Sequence, residues 1–193
     1  MANNKVTTGI NGFGRFGLHL LKYWLDRSHH ADYTINYIND DFLDIDKIHE
    51  IIISDEAVNF KKYKVQKKSG FLRFLKADGT EYQIEVTNKI KDEIDWIGEP
   101  QLFLECSGKN TVRKESEPFL TKNTQRVLIS ATSWDPDATL VYGYNHKNFN
   151  DEHKIISYGS CTVNAYLPLA NFINESFGVI IFTPCVFLLR VGT

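Results

Sequence analysis

NGFGRFG, residues 11–17, joins a short β-rich run, KVTTGI (5–10), to LHLLKYWLDR (18–27), in which Leu18, Leu21 and Leu25 recur at spacings of three and four. Gly12, Gly14 and Gly17 form G-x-G-x-x-G. Alone, such a triplet marks many plain turns. Following a strand and opening a helix, it acquires a mechanism: glycines allow a tight turn and a close approach of backbone to an anionic ligand, which the free N–H groups of the helix start attract. A second β-rich run, YTINYI (33–38), completes strand, helix and strand within about 35 residues, a βαβ unit that requires a parallel sheet.

Beyond this unit, 44–53 reads as a short helix. Residues 60–88 change character: FKKYKV, FLRFL and EYQIEV alternate and are separated by the turn signals KKSG and ADGT, which predicts a small antiparallel meander inserted in the fold. QLFLE (101–105) and RVLIS (126–130) read as further buried strands, with TVRKESEPFLTK (111–122) helical between them. There is no internal repeat. The run VIIFTPCVFLLRVGT (179–193) carries one charge, Arg190, and is too short to span a membrane as a helix. It reads as one or two buried strands without covering partners, so an incomplete second domain is expected.

Composition is that of an ordinary globular protein, 42% apolar and 24% charged, with a net charge of −2. Nothing points to bulk attraction to nucleic acid or to a membrane. Five lysines between Lys61 and Lys68 read as a solvated strand face, since no aromatic platform accompanies them. The start, MANNKVTTG, has no basic segment leading into an apolar run, and a cytoplasmic location is expected. Cys106, Cys161 and Cys185 fit no disulfide framework and no close metal-ligand cluster, so no metal site is expected.

Two places carry chemistry. At the end of the second strand stand Asn39, Asp40 and Asp41. A carboxylate there can accept both hydroxyls of an adenosine ribose and repels a 2′-phosphate, which favours NAD over NADP as cofactor. The other is SCTVN (160–164), where Cys161 stands among small polar residues at the start of a helix-like run through Leu167, Leu169, Ala170, Phe172, Ile173 and Phe177. A helix N-terminus favours a thiolate, and an adjacent imidazolium favours it further. The sequence offers Cys161 the first, but residues 162–193 contain no histidine.

INGFGRFG and SCTVN together resemble phosphorylating glyceraldehyde-3-phosphate dehydrogenase, as do INDDF (38–42), ECSG (105–108), SAT (130–132), DATLVYGYNH (137–146) and the NAYLPLANF helix, in the same order. The resemblance covers nearly all of residues 5–178. It implies a doubly wound Rossmann-type α/β domain over 1–160 that binds NAD, followed over 161–193 by the start of a catalytic domain, truncated. It further implies that Arg15 and Phe16 sit with the glycines at the pyrophosphate, that Asn39 and Asp40 lie at the ribose, and that Ser107, Gly108, Ser130 and Ala131 run along the nicotinamide half. Cys161 would be the nucleophile, with Ser160 and Thr162 at a substrate phosphate and Asn164 supporting the turn. The implied activity is glycolytic oxidation of glyceraldehyde 3-phosphate with inorganic phosphate, through a cysteine thiohemiacetal and thioester, in a family whose full-length members are homotetramers. Erythrose 4-phosphate as substrate, or NAD binding without catalysis, are the alternatives. The chain departs from the family at Leu18 (a second arginine), Thr132 (a proline) and Val163 (a second threonine), and above all in lacking the general-base histidine after the cysteine helix.

Overall fold

The computed structural model describes residues 5–178; the run 179–193, with Cys185, lies outside them. One mixed sheet organises the molecule. Its strands are β1 (Val6–Asn11), β2 (Tyr33–Asn39), β3 (Lys64–Lys68), β4 (Phe71–Leu75), β5 (Glu81–Thr87), β6 (Leu102–Glu105), β7 (Arg126–Ile129), β8 (Ala138–Thr139) and β9 (Ile155–Ser157). They lie in the order β3-β4-β5-β2-β1-β6-β7-β9-β8. From β5 to β8 each neighbouring pair runs parallel, and only β3-β4-β5 is antiparallel. The strand order reverses at β1, with β2 on one side and β6 on the other, and in such sheets ligands bind at the carboxyl ends of the strands where this happens.

The doubly wound α/β fold is therefore the observed one. The meander differs in one respect from its reading as an insertion: β5 pairs parallel with β2, Tyr37 opposite Glu85, so the hairpins continue the main sheet. The helical segment between β6 and β7 is also shorter than its pattern. Helix α3 (Arg113–Ser116) passes at once into a single 3₁₀ turn, Glu117–Phe119, where Pro118 supplies no N–H to an α-ladder.

Helices α1 (Arg15–Arg27) and α2 (Ile45–Ser54) form because their apolar residues recur at helical spacing: Leu18, Leu21, Trp24 and Leu25 on one, Ile48 and Ile52 on the other, all buried with Ile10, Ile38, Phe74 and Ile84 of the sheet. Asp44 caps α2 by accepting from the Lys47 N–H. A second core, Ile94, Trp96, Phe103, Phe119, Val127, Ile129 and Ile155, is centred on stacked rings, with Phe103 and Phe119 4.0 Å apart. After β9 comes helix α4 (Cys161–Phe177), none of whose residues is buried.

Candidate functional site

The three glycines of the β1–α1 turn meet three different surroundings. Gly12 has φ +95°, and a Cβ on it would lie 2.4 Å from the Ser107 backbone nitrogen, so the turn is pressed against the ECSG segment. A Cβ on Gly17 would come 2.6 Å from the Gly12 carbonyl oxygen. One on Gly14, which precedes α1, would meet nothing within 4 Å. The outer two glycines thus permit the turn to close, and the middle one leaves its outer face open. No side chain caps the start of α1. An open backbone surface at an uncapped helix start, beside the strand-order reversal, fits the phosphates of a dinucleotide.

Asp40 turns into this same corner and is 8% exposed. Its Oδ2 accepts from the Phe13 N–H at 2.7 Å, and Oδ1 accepts from Phe42 and Leu43 N–H groups at 2.9 Å. A carboxylate offers about four acceptor positions, so about one remains for a ribose hydroxyl, where the sequence suggested two. Asn39 is 1% exposed and supports the site from behind. Its amide nitrogen donates to Asn11 Oδ1 and the Lys89 carbonyl, and its oxygen accepts from Thr87 Oγ1 and the Lys89 N–H. Arg15 does not point freely at the turn; it is paired with Asp55. The Val58 N–H and this guanidinium hold the Asp55 carboxyl below its ordinary value.

Sequence reasoning missed the residue on which this corner rests. Glu105, at the end of β6, is fully buried. Its Oε2 accepts from Asn11 Nδ2 (2.8 Å) and Asn110 Nδ2 (2.9 Å), and its Oε1 accepts from the Ser107 N–H (2.8 Å) and the Ser107 hydroxyl. Asn11 in turn meets Asn39, Asn39 meets Thr87, and the Trp96 indole donates to Thr87 Oγ1. The ends of β6, β1, β2 and β5 are thereby tied by one polar chain. An acid closing a buried apolar strand was the available signal; of its four donors, the Ser107 N–H and hydroxyl and the Asn110 amide are close in sequence, and only Asn11 is brought in by the fold.

Ser107 is thus held by Glu105, and Gly108 beyond it is exposed. Ser130 donates its N–H to the Glu105 carbonyl, and the Ala131 carbonyl accepts from the Ser157 hydroxyl. Cys106 keeps some surface on an apolar cleft of about 190 Å³ lined by Phe16, Leu20, Leu104, Leu128 and Tyr158. Burial nevertheless pushes its thiol up to about 12, against a hydrogen bond from Ser130.

Cys161 is the first residue of α4 and is exposed. Ser160 caps this helix by accepting from the Val163 N–H, and Asn164 donates to the Tyr158 and Ser160 carbonyls, which fixes the turn that presents the thiol. Thr162 is exposed beside it. The two sequence motifs are close in space: the Phe16 ring meets Tyr158 edge-on at 6.0 Å, three residues before the cysteine. The histidines nearest to it in sequence are engaged in their own turns, His146 accepting from the Gly143 N–H with its ring tilted against Tyr142, His153 bonding with Asn150. Among the described residues, no group of three His, Cys, Asp or Glu could hold a metal ion, and no helix is long and apolar enough to cross a membrane.

No family model matches the chain. Among curated proteins it is similar to glyceraldehyde-3-phosphate dehydrogenase 2 of Caenorhabditis briggsae, 32% identical over 92% of this chain and 52% of the relative. It is likewise similar to glyceraldehyde-3-phosphate dehydrogenase of Mastigamoeba balamuthi, 33% identical over 89% of this chain and 50% of the relative. Glyceraldehyde-3-phosphate dehydrogenase 1 of Bacillus cereus is 28% identical over 89% of this chain and 49% of its own length. The chain spans about half the length of the curated relatives it matches.

Proposed function

From the premise that this chain is a homologue of glyceraldehyde-3-phosphate dehydrogenases over about half their length, we propose that it supplies the NAD site and the nucleophile of a phosphorylating aldehyde dehydrogenase. The observation that carries the proposal is the corner formed by Gly12, Gly14, Gly17 and Asp40, open only at the middle glycine. In this reading Gly14 and the start of α1, with Arg15 and Phe16 behind them, receive the pyrophosphate. Asp40, backed by Asn39, accepts a ribose hydroxyl. Ser107, Gly108, Ser130 and Ala131, at the ends of β6 and β7, run along the nicotinamide half.

Cys161 adds as thiolate to the aldehyde carbon of glyceraldehyde 3-phosphate, giving a thiohemiacetal, and later holds the acyl group as a thioester until inorganic phosphate takes it. In this reading Ser160 and Thr162, on either side of Cys161, donate to a substrate phosphate. Bound NAD supplies the two-electron acceptor for the oxidation. The thiohemiacetal proton needs a base. With His146 and His153 engaged elsewhere, these 193 residues alone are expected to turn over far below an ordinary enzyme, since loss of a positioned acid–base group costs about 100- to 10,000-fold.

Calorimetric titration with NAD and NADP tests the cofactor assignment. The parent is expected to prefer NAD, and Asp40→Asn to lose that preference while its melting transition survives. Equal affinities in the parent would refute the ribose assignment. Limiting iodoacetamide with peptide mapping tests the nucleophile: Cys161 is expected to label well before Cys106, whose raised thiol is scarcely ionised at neutral pH. A Cys161-dependent NADH rate near 10 per second would show that the 193 residues hold a base of their own.

A further inference from the structure

Both cations beside the glycine turn are held by aspartates. Arg15 pairs with Asp55, and Lys109 pairs with Asp41. The second pair has a particular position. Asp41 follows Asp40 in the turn after β2, whereas Lys109 comes from the segment after β6, on the opposite side of β1. The ion pair therefore crosses the carboxyl end of β1 and sets an ammonium beside the corner in which Asp40 sits. Phe42 lies under that ammonium, its ring centroid 4.2 Å from Nζ. Both charged side chains keep contact with water, Lys109 at 50% exposure and Asp41 at 29%.

We propose that Asp41 is a specificity-determining residue, which disfavours a 2′-phosphorylated dinucleotide by keeping Lys109 engaged. The inference rests on the NAD site assigned above. A 2′-phosphate on a ribose held by Asp40 meets two neighbouring carboxylates and an ammonium already neutralised by one of them. Without the Asp41 charge it meets one carboxylate and a free ammonium on a flexible four-carbon stem, able to reach a phosphate oxygen. A hydrogen bond between charged groups in such a setting corresponds to about a tenfold or greater change in affinity. The site so described accepts NAD in either case, because NAD carries no charge at that position.

The experiment is titration of NAD and NADP into the parent chain, Asp41→Asn, Asp41→Ser, Lys109→Ala and the double variant Asp41→Asn/Lys109→Ala, at low and high salt. Both aspartate variants are expected to gain about tenfold or more for NADP and to hold NAD within about twofold. The gain is expected to shrink as salt rises and to vanish in the double variant. No gain in either aspartate variant overturns the proposal. A gain that persists in the double variant also overturns it, since relief of repulsion would then be the cause and Lys109 irrelevant. A parent that binds NAD while the variants fail leaves the cofactor assignment standing and removes this inference; a parent that binds neither dinucleotide removes both.

Discussion

Three glycines within six residues carry three different costs of substitution. Gly12→Ala combines a positive φ with a collision against the Ser107 backbone, and about 2–5 kcal/mol of destabilisation is expected. Gly17→Ala presses a methyl onto the Gly12 carbonyl and is expected to cost about 1–3 kcal/mol. Gly14→Ala meets nothing in the protein, so only the poorer helix cap counts, roughly 0.5–1 kcal/mol; its effect is expected instead as a tenfold or larger loss of NAD affinity. Urea titration of the three variants, with calorimetry on the third, separates the roles. At this scale the motif was legible, because glycine spacing is a local property. That Asp40 already accepts from the Phe13 backbone was not, because it depends on where β2 ends relative to a turn 27 positions earlier.

Strand ends show the same division. The patterns of β1, α1, β2, α2 and the hairpins could be read from periodicity, since each buries one face. The two- and three-residue strands β8 and β9 are too short to express any period, and α3 carries a helical composition that Pro118 interrupts. The polar chain that ties the ends of β6, β1, β2 and β5 has no periodic signature either. It predicts a specific weakness. All four partners of Glu105 are donors, so Glu105→Gln turns an amide NH₂ toward at least one of them and leaves the buried donor unsatisfied. A loss of about 2–4 kcal/mol is expected, seen as a lower denaturation midpoint with an unchanged slope. An unaltered midpoint would show that the network contributes nothing net.

Over the whole molecule, titrating groups bound the pH range of stability on both sides. Burial pushes the carboxyls of Asp26 and Asp137 up, but their hydrogen bonds prevail: Lys22 and Tyr63 for Asp26, the Ile155 and Lys154 N–H groups and Arg113 for Asp137. Both end below the ordinary aspartate value, near 3.9. Their stabilisation is thus complete above about pH 4 and is lost as pH falls through the folded values. On the alkaline side burial raises the Tyr63 hydroxyl, with Asp26 adding to it, and raises the Cys106 thiol to about 12. For these groups the contribution is full below the unfolded value and is lost as pH climbs toward the folded one. Urea midpoints measured across the pH range are expected to form a plateau with two falling limbs, and Cys106→Ala to flatten the upper limb between about pH 9 and 11. A parent curve level up to pH 11 would contradict the burial of that thiol.

The order of strands in the sheet has a consequence on the ribosome. The core under α1 and α2 draws on residues from Ile10 to Val86, joined by Leu104, while the aromatic core runs from Ile94 to Ile155. Translation at about 5–20 residues per second puts about one to three seconds between the end of β5 and the start of β6, long compared with the collapse of a small α/β unit. The nascent chain can therefore assemble β1 through β5 while the far edge of β1 still waits, unpaired, for β6. That edge is the wall against which Gly12 later closes on Ser107. The glycine turn emerges from the ribosome among the first residues, yet its geometry is completed only by a strand made some ninety residues afterwards, so an arrested or early-released chain would display the motif without possessing the site.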